Sequence, residues 1–291
     1  MYRIFFTLMD ARTIAKISII IGVLVVSPAS ILVKLCNAPA IIIAVYRLGI
    51  SGAVMSLIAL KSMKEILKLS KKTKTLLFLA GFSLAIHFTV WFESLEYTTV
   101  MSSILITNSA PIIVLALSAI FLKEKIIKRE AAGVILSLLG ASVIMHGHTF
   151  ELHFYGDFLA LIGAITLAVY FIIGRVVRPY LSLFPYVAVV YSTAFTVLLA
   201  ISYFLGLDLI GYRGTDYVYM AFLALGPSCI GHTSYNYAVK YLKAYIVSLS
   251  ILIEPFAASI LAFIIFNEIP KITTIIGGAF ILTGVTVTLK E

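Results

Sequence analysis

Ten apolar runs of about twenty positions recur along the chain, separated by short polar stretches. An α-helix needs about 20 apolar residues to cross the hydrocarbon core of a bilayer. The runs at 14–33, 40–60, 75–93, 98–121, 130–146, 156–174, 184–205, 216–238, 244–266 and 271–289 therefore predict ten transmembrane helices. The first is too long and uninterrupted for the apolar region of a signal peptide. Pro39 also crowds the stretch Cys36-Asn37-Ala38-Pro39-Ala40, where cleavage would have to occur. Met1 to Arg12 read as a short retained tail. Connections are short, and no low-complexity segment or long linker interrupts them.

The polar punctuation repeats. Displaced by 144 residues, Tyr97 falls on Tyr241, Pro111 on Pro255, Glu124 on Glu268, Gly133 on Gly277 and Gly140 on Gly284. Chance matches among apolar residues are common in such a chain, but matched Pro, Glu and Gly are not. The offset is nearly half of 291 residues, so the chain reads as one five-helix unit written twice, 1–147 and 148–291. Five spans is an odd number, so the second copy enters the membrane from the opposite side. The expected fold is an all-α integral membrane protein of two inverted-topology five-helix repeats. Transporters built this way place substrate sites at the repeat interface.

Composition and charge sharpen this picture. Hydrophobic residues make up 62% of the chain and charged residues 12%, against about 25% charged in soluble domains. A soluble fold would have to expose large apolar patches. The net charge of +9 does not indicate nucleic-acid binding, because the basic residues lie between apolar runs and not on one soluble face. With ten spans, eighteen Lys and Arg fall on one side and three on the other (Lys34, Arg213 and Lys271), while Arg47 lies within a span. The positive-inside rule then places both termini in the cytoplasm of a cell-membrane protein.

The segment His87-x-x-x-Trp91-Phe92-x-Ser94-Leu95-x-Tyr97-Thr98, followed by Pro111 and Leu122-x-Glu124, resembles the first half of EamA-type transporters of the drug/metabolite transporter superfamily. Gly231-His232-x-x-x-Asn236-x-Ala238-x-x-Tyr241-Leu242, Leu252-x-Glu254-Pro255, Asn267-Glu268 and Gly277-x6-Gly284 resemble the second half. Arg47 matches an arginine common in that family. The resemblance spans nearly the whole chain and implies secondary transport of small metabolites, often export of amino acids or related compounds.

Polar residues within the spans are the candidates for function. Glu254, beside Pro255, carries a carboxylate that costs roughly 2.5 kcal/mol or more at bilayer depth, so it should face a cavity or a partner. It is read as a proton carrier, a partner for a substrate amine, or an acceptor for backbone freed by the proline. Its repeat counterpart is Ala110. His87 and His232 sit in corresponding spans, one residue out of register, each with a large or polar residue four positions on, Trp91 and Asn236. They either meet substrate or bond neighbouring helices as neutral rings. Arg47 attracts an anionic group, pairs with Glu254, or snorkels to the interface. Trp91 and Tyr235 are the aromatics nearest the histidine pair. Asn108 lies where Pro111 should break the helix, and Pro111 and Pro255 should kink the fourth and ninth spans symmetrically.

Other residues have plainer readings. Gly133, Gly140, Gly277 and Gly284 permit close helix contact, either internally or in a homodimer. Glu124 and Glu268 read as capping or gating carboxylates. The loop holding His146, His148, Glu151, His153 and Asp157 reads as solvated, and Cys36 and Cys229 as free thiols. No metal site or cofactor is expected, since a zinc cage needs more ligands than the two intramembrane histidines. The absence of a G-x-x-x-x-G-K-[ST] loop excludes ATP-driven transport by this chain alone. The expected partners are the lipid bilayer, a small-molecule substrate and protons as coupling ion. A membrane-embedded enzyme or a sensor subunit is the alternative to a secondary transporter.

Overall fold

The computed structural model describes residues 10–146, 153–266 and 269–290. Among them every regular element is helical. The first span comprises α1 (Ala11–Val26) and α2 (Ala29–Leu35), bent at Pro28. The Asp10 carboxylate starts α1 by accepting the Thr13 N–H at 2.9 Å, as an N-cap should. Then follow α3 (Ala40–Ala59) and α4 (Lys71–Tyr97). Next come α5 (Val100–Thr107), α6 (Ala110–Leu117) with a π-helical turn at Ser118–Leu122, and α7 (Lys128–His146). The second half holds α8 (Phe154–Val177), α9 (Leu183–Phe204), α10 (Gly214–Leu223) and α11 (Thr233–Tyr241), the last two joined by a π-helical stretch, Ala224–His232. It ends with α12 (Ala244–Leu249), a 3-10 turn at Ser250–Ile253, α13 (Glu254–Phe266) and α14 (Ile272–Leu289).

Nine helical segments among the described residues are long and apolar enough to cross a bilayer. They coincide with nine of the ten expected runs. The remaining run, 216–238, is helical from Gly214 to Tyr241, but its middle third is π-helical. Pro227 lies inside that stretch. It offers no N–H to the preceding turn and its ring crowds it, so the helix widens. Side chains from other helices bond the loosened backbone, as an intramembrane break requires. Ser51 Oγ donates to the Ala224 carbonyl at 3.2 Å and Tyr191 OH to the Ser228 carbonyl at 3.1 Å.

The two prolines expected to kink spans four and nine lie just after interruptions in those spans. Pro111 and Pro255 each occupy the second residue of a new helix, α6 and α13, a first-turn position that tolerates a missing N–H. The distortion lies before them, at Asn108–Ser109 and in the 3-10 turn at Ser250–Ile253. These spans are thus interrupted in the turn before each proline, where its missing N–H and its ring disturb a helix.

Helices from the two halves pack in pairs. α4 lies against α8 and α9, α3 runs along α9, and α1 covers α11 and the π-helical stretch. α7 runs antiparallel along α14, with Gly133 against Gly284 and Gly140 against Gly277. A Cβ at any of the four would run into the backbone carbonyl of its opposite glycine. The glycines let the two backbones touch, which is how small residues favour helix association in lipid. Large apolar side chains such as Leu24, Leu57, Ile120, Phe158 and Phe222 remain exposed, as suits a surface solvated by acyl chains.

Gly140→Val or Gly277→Val should overpack this contact by about 1–3 kcal/mol and lower the melting temperature of the purified protein by several degrees. Gly214→Ala, where an added Cβ meets open space, should leave it near the parent value. Equal melting of all three proteins would mean that the glycine contact does not hold α7 to α14.

Candidate functional site

The broken helices converge. Asn108, at the break between α5 and α6, donates from Nδ2 to the carbonyl of Ile251 in the 3-10 turn of the other half, at 3.2 Å. Around that bond lies a small cavity of about 30 Å³. Its polar and aromatic lining is His87, Trp91, Thr107 and Asn108 from the first half and His232, Tyr235 and Glu254 from the second. Val26, Leu167 and Ile251 complete it. Such a space holds about one or two water molecules and is too small for a metabolite.

Each polar wall is positioned by local structure. His87 on α4 holds the Gly163 carbonyl of α8 through Nδ1 at 2.9 Å. A carbonyl only accepts, so Nδ1 carries the hydrogen, which leaves Nε2 as an acceptor on the neutral ring. The ring stacks on Trp91, centroids 5.8 Å apart and planes 13° from parallel. His232 ends the π-helical stretch, in T-shaped contact with the rings of Phe88 and Tyr235. Tyr235, one turn on, donates its hydroxyl to Glu254 Oε1 at 3.1 Å. Glu254 opens α13, where the helix N-terminus favours a carboxylate.

Two buried polar atoms on the lining residues have no hydrogen-bond partner among the described residues: Trp91 Nε1 and His232 Nδ1. Buried polar groups are normally paired, and an orphan at a cavity is available to a ligand. With the Glu254 carboxyl group, the cavity presents an indole donor, imidazole nitrogens and carboxyl oxygens within one small volume.

Six of the eight candidate binding residues, Glu254, His87, His232, Trp91, Tyr235 and Asn108, therefore share one cavity. Asn236 and Arg47 do not line it. Asn236 hydrogen-bonds the Tyr170 hydroxyl and the His232 carbonyl, so it braces the helix turn carrying His232. Arg47 is fully buried, which rules out the snorkelling reading. Its guanidinium lies 4.2 Å from the centroid of the Phe88 ring, and Nε donates to Ser228 Oγ at 2.8 Å. Nη1 and Nη2 are buried without a partner among the described residues. Phe88 thus stands between a desolvated cation and His232.

Among the remaining candidates, Glu124 pairs with Arg175 at 2.9 Å, which bonds the first half to the second. Glu130 receives Lys243 at 2.8 Å and the Tyr245 hydroxyl at 2.7 Å. His146 and His153 lie at helix ends. Glu268, His148 and Glu151 fall outside the described residues. Cys36 and Cys229 are buried free thiols. Sequence reasoning missed Thr107, beside Asn108, and the supporting residues Phe88 and Ser228. Pro227 was the available signal for Ser228, since it marks the helix whose loosened backbone Tyr191 bonds.

Comparison with known proteins agrees with this architecture. An uncharacterized transporter of Archaeoglobus fulgidus is 25% identical over 218 residues, spanning 75% of this chain and 77% of its own. The uncharacterized transporter YyaM of Bacillus subtilis is 24% identical over 259 residues, 83% of this chain and 82% of that protein. A solved crystal structure shares the fold with a TM-score of 0.78 at 19% identity, covering 95% of this chain and 96% of its own. The EamA-like transporter family matches the chain twice, at residues 13–146 and 154–290. The two matched halves are those whose broken helices enclose the cavity, and the chain is a multi-pass membrane protein belonging to the EamA-like transporter family.

Proposed function

We propose that the protein is a secondary transporter that exports small metabolites such as amino acids or related compounds, by alternating access around the central cavity. One observation carries this reading: residues from both halves line a single buried space at the point where two membrane helices are broken. Discontinuous helices at a repeat interface are where secondary transporters hold substrate. In this reading the chain has ten spans arranged as two inverted repeats, 1–147 and 148–291, with both termini in the cytoplasm. The antiparallel packing of α7 on α14 supports the inversion.

Glu254 takes a substrate amine or carries the coupling proton, with Tyr235 holding its carboxylate in place. Trp91 and the two histidines supply directional hydrogen bonds to the substrate's polar groups. Arg47 adds positive potential from behind Phe88 and meets an anionic group once that ring moves. The breaks before Pro111 and Pro255 act as the hinges of the opening motion. Expansion of the cavity is the step that admits substrate.

Purified protein in liposomes should give flux or counterflow with at least one member of a panel of amino acids, organic cations and organic acids. If the whole panel gives neither binding nor flux, this reading is wrong. Glu254→Gln should slow flux about tenfold or more, the equivalent of a lost charged hydrogen bond at about 1.5–3 kcal/mol, and flatten its dependence on pH. Unchanged flux and pH profile in that variant would remove Glu254 from coupling. Trp91 is the chain's one tryptophan, so a transported compound should shift intrinsic emission saturably; a transported compound that leaves emission constant would place its site elsewhere.

A further inference from the structure

A second cavity, unconnected with the transport site in its lining, lies where the ends of α1, α7, α11 and α14 meet. Its volume is about 320 Å³, at the lower end of the range of about 300–1,000 Å³ for small-molecule sites. Arg12, Lys16, Arg129, Lys243 and Lys290 line it, with Glu130 as the one carboxylate of the lining among the described residues. Lys243 pairs with that carboxylate at 2.8 Å, so the balance of charge in the lining is positive. Arg12 is exposed and donates no hydrogen bond among the described residues. Arg129 holds the Lys290 carbonyl through one terminal nitrogen, while its Nε is buried without a partner among the described residues.

The position of the cavity gives the class of ligand. Arg12, Arg129 and Lys290 stand at the ends of three apolar spans, α1, α7 and α14, on one face of the bundle. That face is the one to which the count of basic residues assigns the cytoplasm. The cations therefore sit at headgroup depth, and Ile246 and Leu289 extend the lining with apolar surface. Guanidinium groups bind phosphate oxygens with directional, charge-assisted hydrogen bonds. Basic pockets between membrane helices take anionic lipid headgroups. We propose that this pocket binds phosphate as the headgroup of an anionic phospholipid.

The test measures melting of the purified full chain in a non-ionic detergent as lipid is added. Dioleoyl phosphatidylglycerol should raise the melting temperature, and dioleoyl phosphatidylcholine and inorganic phosphate should leave it in place. Arg12→Gln and Arg129→Gln should each weaken the phosphatidylglycerol response about fivefold, while Arg12→Lys should retain most of it. Should Arg129→Gln fail to fold, Arg12→Gln alone carries the comparison, because Arg12 is exposed and makes no hydrogen bond among the described residues. Equal effects of the two lipids, or an undiminished phosphatidylglycerol response in the glutamine variants, would overturn the proposal. A shift of the same size with inorganic phosphate alone would show a site for soluble phosphate and overturn the lipid assignment. None of these outcomes bears on whether the central cavity transports.

Discussion

Water does not reach the backbone within a bilayer, so every peptide group there must find its partner inside the protein. The rest of this structure follows from how that requirement is met where helices are interrupted. The π-helical stretch Ala224–His232 is bonded by Ser51 and Tyr191, which come from two other helices. The carbonyl of Ile251, in the interrupted helix of the second half, accepts from Asn108 in the interrupted helix of the first. An interruption in one half is thus tied by a side chain of the other. The interrupted helices of the second half take these bonds from the first.

The same requirement brings charge to the centre. Arg47 reaches the π-helical stretch through Ser228, and a guanidinium so far from water needs compensation. It finds a hydroxyl and the face of Phe88, a cation–π contact worth about 2 kcal/mol when desolvated, with two nitrogens still unpaired. The Glu254 carboxyl, in turn, accepts from the Tyr235 phenol.

Much of this was legible in the sequence, and the reasons differ by residue. The spans were readable because twenty-residue apolar runs are required for a bilayer and are rare for any other purpose. The repeat was readable because Pro, Glu and Gly are uncommon enough in this chain for their register to carry information. His87, Trp91, Asn108, His232, Tyr235 and Glu254 were found because an intramembrane polar group is costly, so each stood out singly. Asn236 and Arg47 were found for the same reason and lie outside the cavity, since cost marks depth and not direction. The π-helical stretch was hidden because Pro227 sits in an apolar run without a repeat partner to draw attention to it. Thr107 and Phe88 gave no signal, being ordinary residues made important by their neighbours.

The glycine contact between α7 and α14 has a consequence for how the two halves can change over generations. Each glycine there sets the size limit of a residue in the other half, and glycine has no smaller residue to yield to. A larger side chain on one helix cannot be accommodated by trimming the opposite one, as happens at most packed interfaces. These four positions are thus tied to one another across the two halves, each fixing the size of its opposite.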